Sequence, residues 1–460
     1  MPKSGQIVVV ANRLPVQRVR HGRVTRWDPS PGGLVSAMAP ILRRHGGAWV
    51  GWSGVAGPTP RPFVHDGIRI RPVGLSTGEV ERYYLGFSNR TIWPLYHDAI
   101  RAPTFVRRWW KPYVDINRRF AQAAARIARR RQIVWVHDYQ LQLVPRLLRE
   151  IRPDLRIGFF LHIPFPPDEL FAWLPWRKEI MEGLLGADVV GFQTHDDAKD
   201  FANSARQYSS ARGTETELEF RRRTVRVRTV PISVDFAELD RLAADPRVLK
   251  SAAELRRRVG PNRRILLSVD RMDYTKGIDA RLLAFEELLR RRLASVEECV
   301  LIQIAVPTRE QVTEYREVRT RVEQIVGRIN GEFSSPGRVA VHYFRRSYPR
   351  DELAVFYAAA DVMIVTPLRD GMNLVAKEYV AMRRDHSGVL VLSEFAGAAR
   401  ELRRALLVNP RDTDGMVRTL HTALRMPDRE AHFRMSLLRT QVRRHDIQEW
   451  ARGFMGALRG

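Results

Sequence analysis

Short apolar runs rich in β-branched residues alternate along this chain with segments whose apolar positions recur every three to four residues. In the first half, QIVVVA (6–11), AWVGW (48–52), IVWVH (133–137), RIGFFLH (156–162), VVGFQ (189–193) and VRVRTV (225–230) predict strands. RRFAQAAARIARR (118–130) and QLQLVPRLLREI (140–151) predict helices between them. The alternation pauses near Pro231, and 235–258 reads as mainly helical. A second series follows: RILLSVD (264–270), VLIQIAV (300–306), VAVHYF (339–344), DVMIVT (361–366) and GVLVLS (388–393). Helical patterns separate these too, as in GIDARLLAFEELLRRRL (277–293) and YREVRTRVEQIVGRIN (315–330). The pattern predicts an α/β fold of two tandem doubly wound domains, with mostly parallel sheets and a boundary between about 232 and 260. Two such domains facing each other would make a cleft at the carboxyl ends of their strands, where open α/β sheets bind ligands.

Composition narrows the classes. The 460 residues, 44% of them hydrophobic, suffice for two domain cores. Cys299 is the only cysteine, which excludes an internal disulfide and a cysteine-based metal site. The apolar run after MPKSGQ is too short for a signal peptide, and no stretch approaches a membrane span. A cytoplasmic protein with no membrane partner is expected.

Lys and Arg exceed Asp and Glu by 77 to 51, a net charge of +26, which favours encounter with anions of any kind. Only seven of the 77 are lysine, so the excess is arginine, and a compositional habit explains it as well as a function does. Zinc-finger spacing, an aromatic RNA-binding motif and a basic arm are all missing, so no nucleic-acid partner is expected.

The ends of the strands carry unusual chemistry. DVMIVT runs into TPLRDGMNLVAKEYV (366–380), where Gly371 would let backbone approach a ligand and a helix start would present amides. Asp370 could accept hydrogen bonds from sugar hydroxyls, and Glu378 could reach a diol. RILLSVD runs into Arg271 and Lys276, a guanidinium and an ammonium just before a helix, a combination suited to a diphosphate. The competing reading is a solvated turn with incidental basic residues, against which the scarcity of lysine weighs. IVWVH leads into Asp138, and RIGFFLH ends at His162; either histidine alone would more often be structural, but two endings in one sheet favour a site. Arg13 follows the first strand, and Pro31, Gly32 and Gly33 suggest a glycine-rich loop without the spacing of a dinucleotide fingerprint. GWSG (51–54) and YYLGFSNRTIWPLYH (83–97) mix aromatics with short glycine turns, suited to a sugar ring or to a core.

ANRLPV, PGGL, GWSG, YYLGFSN with TIWPLYH, VWVHDYQL, FFLHIPFP, DRMDYTKG and TPLRDGMNLVAKEYV occur in this order over nearly the whole chain. Together they closely resemble the α,α-trehalose-phosphate synthase family, retaining glucosyltransferases with two Rossmann-like domains facing across a cleft (GT-B type). The resemblance implies transfer of glucose from a nucleoside-diphosphate glucose, with UDP-glucose the leading donor, to glucose 6-phosphate. It places Arg13, Trp52, Tyr84, Trp93, Asp138 and Arg309 on the acceptor side, with Arg13 and Arg309 suited to the acceptor phosphate. It places Gly32, Gly33, His162, Arg271, Lys276, Asp370, Gly371, Met372, Asn373, Leu374, Val375 and Glu378 on the donor side. Tyr348 matches a backbone contact to the base, and Trp93 and Ile163 match positions linked to anomer selectivity. Arg271, Lys276, His162 and Asp370 are the residues expected at the chemistry.

The resemblance also implies an acceptor domain over 1–235, a nucleotide-sugar domain over 236–435, and a C-terminal helix, about 436–460, packing back on the first. It implies no covalent intermediate, no cofactor or metal, small-molecule substrates as the partners, and a homo-oligomer. Two rival readings are open: a relative that glucosylates glycerol 3-phosphate, which should lack part of the Tyr84–Trp93 set, and a catalytically dead sensor, against which Arg271, Lys276, Asp370 and Glu378 argue. A fused phosphatase domain is not expected. Donor base preference among UDP, ADP and GDP is open, since backbone holds the base.

Overall fold

The computed structural model describes residues 7–21, 24–30, 35, 38, 39, 41–43 and 46–460. Gly32 and Gly33 lie outside the described residues. The chain divides into two compact units, Met1–Ile232 with Gln448–Gly460, and Ser233–Ile447. No helix among the described residues is long and apolar enough to cross a membrane.

The first unit contains β1 (Ile7–Arg13), β2 (Val16–His21), β3 (Val24–Pro29), β4 (Gly47–Trp52), β5 (Phe63–His65) and β6 (Ile68–Pro72). It continues with β7 (Ile133–His137), β8 (Arg156–Phe160), β9 (Val189–Phe192), β10 (Arg212–Gly213), β11 (Glu217–Phe220) and β12 (Arg223–Thr229). Apart from the β2–β3 hairpin, these form one sheet in the order β10-β11-β12-β9-β8-β7-β1-β4-β6-β5. From β6 to β12 every pairing is parallel, and only the edges are antiparallel. The central strands are buried throughout, which explains their unbroken apolar runs: a parallel sheet covered on both faces has no polar side. The order β6-β4-β1-β7-β8-β9 is the doubly wound one, and its direction of growth reverses between β1 and β7.

The second unit repeats this construction with β13 (Arg264–Arg271), β14 (Cys299–Val306), β15 (Val341–Phe344), β16 (Val362–Val365), β17 (Val389–Ser393) and β18 (Leu406–Val408). All six are parallel, in the order β15-β14-β13-β16-β17-β18, with the reversal between β13 and β16. Helix Ile278–Arg290 buries Ile278, Leu282, Phe285 and Leu289, one stripe at helical spacing, in the core beside Leu266, Leu301 and Ile364.

Two local expectations change. The aromatic stretch around Tyr83 and Tyr84 is a wide π-helix, Val80–Ile92, and not a set of glycine turns; the amide of Trp93 that follows donates to the carbonyl of Ser88, five residues back. Gly86 is there for space, since a Cβ would come within 2.7 Å of the Trp109 indole. The C-terminal region is two helices, Asp428–Arg444 and Ile447–Arg459, and the second unit keeps the chain to Ile447, beyond the expected 435. Arg439 explains this: its guanidinium bonds Asp240 and the carbonyls of Val380 and Ala381, all in the second unit. Only Ile447–Arg459 packs on the first sheet, where Phe454 lies so close to Gly158 and Gly191 that a Cβ at either would meet it at 2.6 Å.

Gly277, between β13 and its helix, has φ +59, and a Cβ there would lie 2.2 Å from the Thr366 carbonyl oxygen. Gly337 also has positive φ, +79, but opens onto free space. Gly337→Ala should therefore cost only the left-handed strain, about 1–2 kcal/mol, while Gly277→Ala adds a backbone collision. Thermal denaturation should show the larger loss at Gly277, and equal losses would contradict this packing.

Candidate active site

At the reversal point of the second sheet, β13 ends in Arg271 and a short turn, Tyr274–Lys276, leads to the Gly277 corner. Asp273 caps the turn, accepting from the Thr275 amide and hydroxyl at 3.0 Å each. Its second oxygen lies 3.5 Å from Arg309 Nη1 and accepts from the Tyr315 hydroxyl at 3.4 Å. Burial raises the Asp273 pKa, but Arg309, Arg271 and Lys276, with the Thr275 amide, outweigh it and hold the carboxyl below its usual range. Arg309 itself has φ +47 and also donates to the Tyr315 hydroxyl. Lys276 and Arg309 thus meet one buried carboxylate field, which a solvated turn would not provide.

Lys276 is 8% exposed. Its Nζ lies 2.5 Å from Asp370 Oδ2, so the expected loop lysine is an embedded one. Asn373 donates to the same oxygen at 3.1 Å and, at φ +75, caps helix Leu374–Met382 by accepting from the Ala376 amide. The first-turn amides of that helix, at Leu374 and Val375, have no intrahelical acceptor by geometry. Gly371 and Met372 are held from behind: Gly397 donates to the Asp370 carbonyl at 3.1 Å and Ala398 to that of Met372 at 2.8 Å. The Leu368 amide donates to the Thr275 carbonyl at 2.7 Å, tying the two loops together.

Glu378, one turn further on, accepts from the Tyr357 hydroxyl at 2.9 Å, and burial raises its pKa above the ordinary value. Its neighbour Lys377 turns away to Glu401 at 2.7 Å and is structural. The Tyr348 ring packs 5.0 Å from Phe356, under the Arg346 guanidinium.

In the first unit the reversal point between β1 and β7 holds Arg13 and Asp138. The Arg13 guanidinium lies 4.4 Å over the Trp52 ring and 5.5 Å from that of Tyr84. It fills the space over Gly54, where a Cβ would meet its Nη1 at 1.5 Å, so the glycine of GWSG is required by the arginine. Asn89 links the aromatics, donating to the Tyr84 carbonyl at 2.6 Å and accepting from the Tyr139 hydroxyl at 2.8 Å. Trp93 packs on Tyr139 at 5.5 Å.

Asp138 has φ +76, and its carboxylate accepts from the His162 amide at 3.3 Å. The His162 ring meets that of His137, Nε2 to Nδ1, at 3.0 Å, and Ile163 beside it is buried. Burial pushes the His162 pKa down to about 3 and His137 also well below its usual value, so both rings are neutral.

Each unit therefore gathers its own predicted residues: Arg13, Trp52, Tyr84, Trp93, Asp138, His162 and Ile163 in the first; Arg271, Lys276, Arg309, Tyr348, Asp370–Val375 and Glu378 in the second. Arg309 belongs to a different unit from the other acceptor-side residues. Sequence reasoning noted His137 at its strand end without giving it a role, and missed Asp273 and the 395–398 loop. The glycine of EFAGAA, directly after a strand, was the available signal for the last, and a Cβ at Gly397 would fall 1.9 Å from the Gly371 carbonyl oxygen.

Two doubly wound units with charged loops at their reversal points are the architecture of a GT-B type glycosyltransferase, and the solved structures that superpose on the chain share it. The sequence model of glycosyltransferase family 20 matches residues 5–459. The chain is 52% identical to a trehalose-6-phosphate synthase of Mycolicibacterium smegmatis, over 99% of this chain and 92% of that one. It is 53% identical to one of Mycobacterium leprae, over 99% and 95%. Among solved structures, an α,α-trehalose-phosphate synthase (UDP-forming) from Burkholderia xenovorans in complex with glucose-6-phosphate superposes with TM-score 0.91 at 36% identity, covering 99% of this chain and all of that one. An E. coli structure with bound UDP-2-fluoro glucose gives 0.89 at 34% identity, covering 99% of each chain. The chain belongs to glycosyltransferase family 20, the trehalose-6-phosphate synthases, and is an enzyme.

Two outcomes follow from this geometry. Lys276→Ala should lower kcat by about 2–4 kcal/mol, roughly 30- to 1000-fold, as when a preorganised donor is lost. Because Asp370 then loses its 2.5 Å partner, the melting temperature should fall as well. Wild-type kcat would remove Lys276 from the chemistry.

Glu378→Gln tests the second buried carboxyl. A raised folded-state pKa means a penalty absent below the unfolded value, near 4.5, that develops as pH rises through the folded value. The glutamine variant, which still accepts from Tyr357, should match the wild type at pH 4 and be more stable at pH 7. Its KM for the nucleotide sugar should rise. Equal melting curves at both pH values would contradict the burial argument.

Proposed function

We propose that this protein transfers glucose from UDP-glucose to the anomeric oxygen of glucose 6-phosphate, giving α,α-trehalose 6-phosphate with retention of configuration. One observation carries the donor half. Arg271, Lys276, Asp370 and the first turn of helix Leu374–Met382 converge at one sheet's reversal point, where a diphosphate finds two cations, amides and a helix dipole together. In the relatives, one structure carries UDP-2-fluoro glucose and another glucose-6-phosphate.

The donor glucose leaves as an oxocarbenium-like fragment while the acceptor hydroxyl attacks on the same face, aided by the departing phosphate oxygen, with no covalent enzyme intermediate. Arg271 and Lys276 stabilise charge that grows on the diphosphate as the bond breaks, which is where fixed donors act most. A bound diphosphate competes with Asp370 for Lys276, freeing the carboxylate to accept from a sugar hydroxyl. Glu378 is placed for the ribose diol. Arg13 suits the acceptor phosphate, and Trp52, Tyr84, Trp93 and Asp138 its sugar; Arg309, which the resemblance assigns to the same phosphate, is held in the second unit by Asp273 and Tyr315. The aromatic set around Tyr84 and Trp93 is complete, which favours a hexose phosphate over glycerol 3-phosphate. Among the described residues no group of three His, Cys, Asp or Glu side chains is arranged to hold a metal ion, and the two cations can do a metal's electrostatic work.

The test is a product assay crossing UDP-, ADP- and GDP-glucose with glucose 6-phosphate, free glucose and glycerol 3-phosphate, in excess chelator. UDP-glucose with glucose 6-phosphate should give the highest turnover and an α,α-linked product, and activity should persist under chelation. Comparable turnover with free glucose, or better turnover with glycerol 3-phosphate, would sink the acceptor assignment. Complete, metal-reversible loss would sink the reading of the phosphate site.

A further inference from the structure

The two histidines at the ends of β7 and β8 share one hydrogen bond, His137 Nδ1 to His162 Nε2 at 3.0 Å. Both rings are neutral, so a single proton lies between these nitrogens, and two arrangements are possible. If His162 donates, His137 must carry its own proton on Nε2. That atom is fully buried and has no hydrogen-bond partner. An N–H there would be an orphaned buried donor, which is rarer and costlier than an orphaned acceptor. The surroundings offer such an N–H no acceptor: the His137 ring is packed against aromatic rings, 4.9 Å from that of Trp135 and 6.4 Å from that of Trp450.

We infer that His137 is a positioning residue that donates from Nδ1 and thereby holds His162 in the Nδ1–H tautomer, so that His162 presents a fixed N–H donor at the end of β8. This is the tautomer that free histidine in water disfavours, so it must be imposed by a partner. The inference deepens the proposed function and rests on it for the ligand class: a neutral N–H at this position suits an uncharged sugar hydroxyl and not a phosphate charge. Because burial keeps both rings neutral, the donor is present across the whole neutral pH range.

The experiment is long-range proton–nitrogen correlation on the protein with ¹⁵N-labelled histidine, without substrate. His162→Asn and His137→Phe identify the two signals. Wild-type His162 should show the Nδ1–H pattern and His137 the same. In His137→Phe the donor is gone, and His162 should revert to the Nε2–H form; kcat should fall about tenfold, the equivalent of one neutral hydrogen bond. His137→Asn places an amide N–H at the Nδ1 position and should restore both the tautomer and most of the rate. An Nε2–H signal at His162 in the wild type overturns the inference, and so does an Nδ1–H signal that persists in His137→Phe. If the phenylalanine variant does not fold, the wild-type spectrum alone decides. A failure of the donor-site reading looks different: the tautomer switches as expected while His162→Phe, which has no N–H to offer, turns over at the wild-type rate.

Discussion

Arg281 and Asp270 form a fully enclosed ion pair, Nη2 to Oδ2 at 2.8 Å, and the geometry of the second unit hangs on it. Charges this deep persist when paired and hydrogen-bonded. Both terminal nitrogens of Arg281 are, also to main chain: it donates to the Ile364 carbonyl at 2.9 Å and the Lys276 carbonyl at 3.3 Å, and only its buried Nε is left without a partner. One guanidinium therefore ties together β13 through Asp270, β16 through Ile364, and the turn carrying Lys276. Ser268 donates to the same Ile364 carbonyl at 2.6 Å. These are the two strands between which the sheet reverses direction, where no crossover helix covers the gap. The pair closes the floor of that gap, and the Tyr274–Lys276 turn stands on it.

The same logic runs through the first unit with different chemistry. Its reversal point, between β1 and β7, is closed by neutral hydrogen bonds: Tyr83 to Asn12 at 2.8 Å, Tyr139 to Asn89 at 2.8 Å, and Tyr113 to the Tyr139 carbonyl at 2.8 Å. The diphosphate proposed for the second unit calls for buried cations, and the buried cations there have carboxylates beneath them, Asp270, Asp273 and Asp370. A sugar ring needs apolar faces and oriented hydroxyl partners, which aromatic residues and amides supply. The difference between the two floors follows from what each unit is proposed to hold.

Much of this was legible in the sequence because parallel strands buried on both faces leave unbroken apolar runs, and because polar residues at their carboxyl ends have no core role to explain them. Arg271, Lys276 and Asp370 stood out on that ground. What stayed hidden depends on contacts between distant segments. Asp273 reads as one more loop acid until Arg309, 36 positions on, is seen 3.5 Å away. His137 looked like the last residue of a strand, and only its approach to His162 gives it a role. The π-helix was unreadable because no periodicity within Val80–Ile92 reports it, and the need for Gly86 shows only when Trp109, 23 positions on, is seen against it.

The arginine excess has a structural reading once partners are known. Arg383 donates to the carbonyls of Tyr357, Ala358 and Ala360, at the C-terminus of helix Arg350–Ala359. Arg152 does the same for Ala125 and Ala128, behind helix Arg107–Ile127, and Arg439 for Val380 and Ala381, behind Leu374–Met382. A helix end leaves carbonyls without partners and carries partial negative charge, and a planar fork of five donors can satisfy several at once. These guanidiniums are the mortar between elements. An ammonium could not replace them, because it is compact and strongly hydrated and cannot span three diverging carbonyls. The converse explains why a chain with so few lysines buries two of them. Lys276 and Lys377 each bond a carboxylate, Asp370 at 2.5 Å and Glu401 at 2.7 Å, and against a point of negative charge a compact positive charge is a good fit. At Lys377 that pairing is permanent and structural. At Lys276 the proposed diphosphate would exchange a phosphate oxygen for the carboxylate, and the lysine, unlike an arginine fork, is not also committed to the backbone around it.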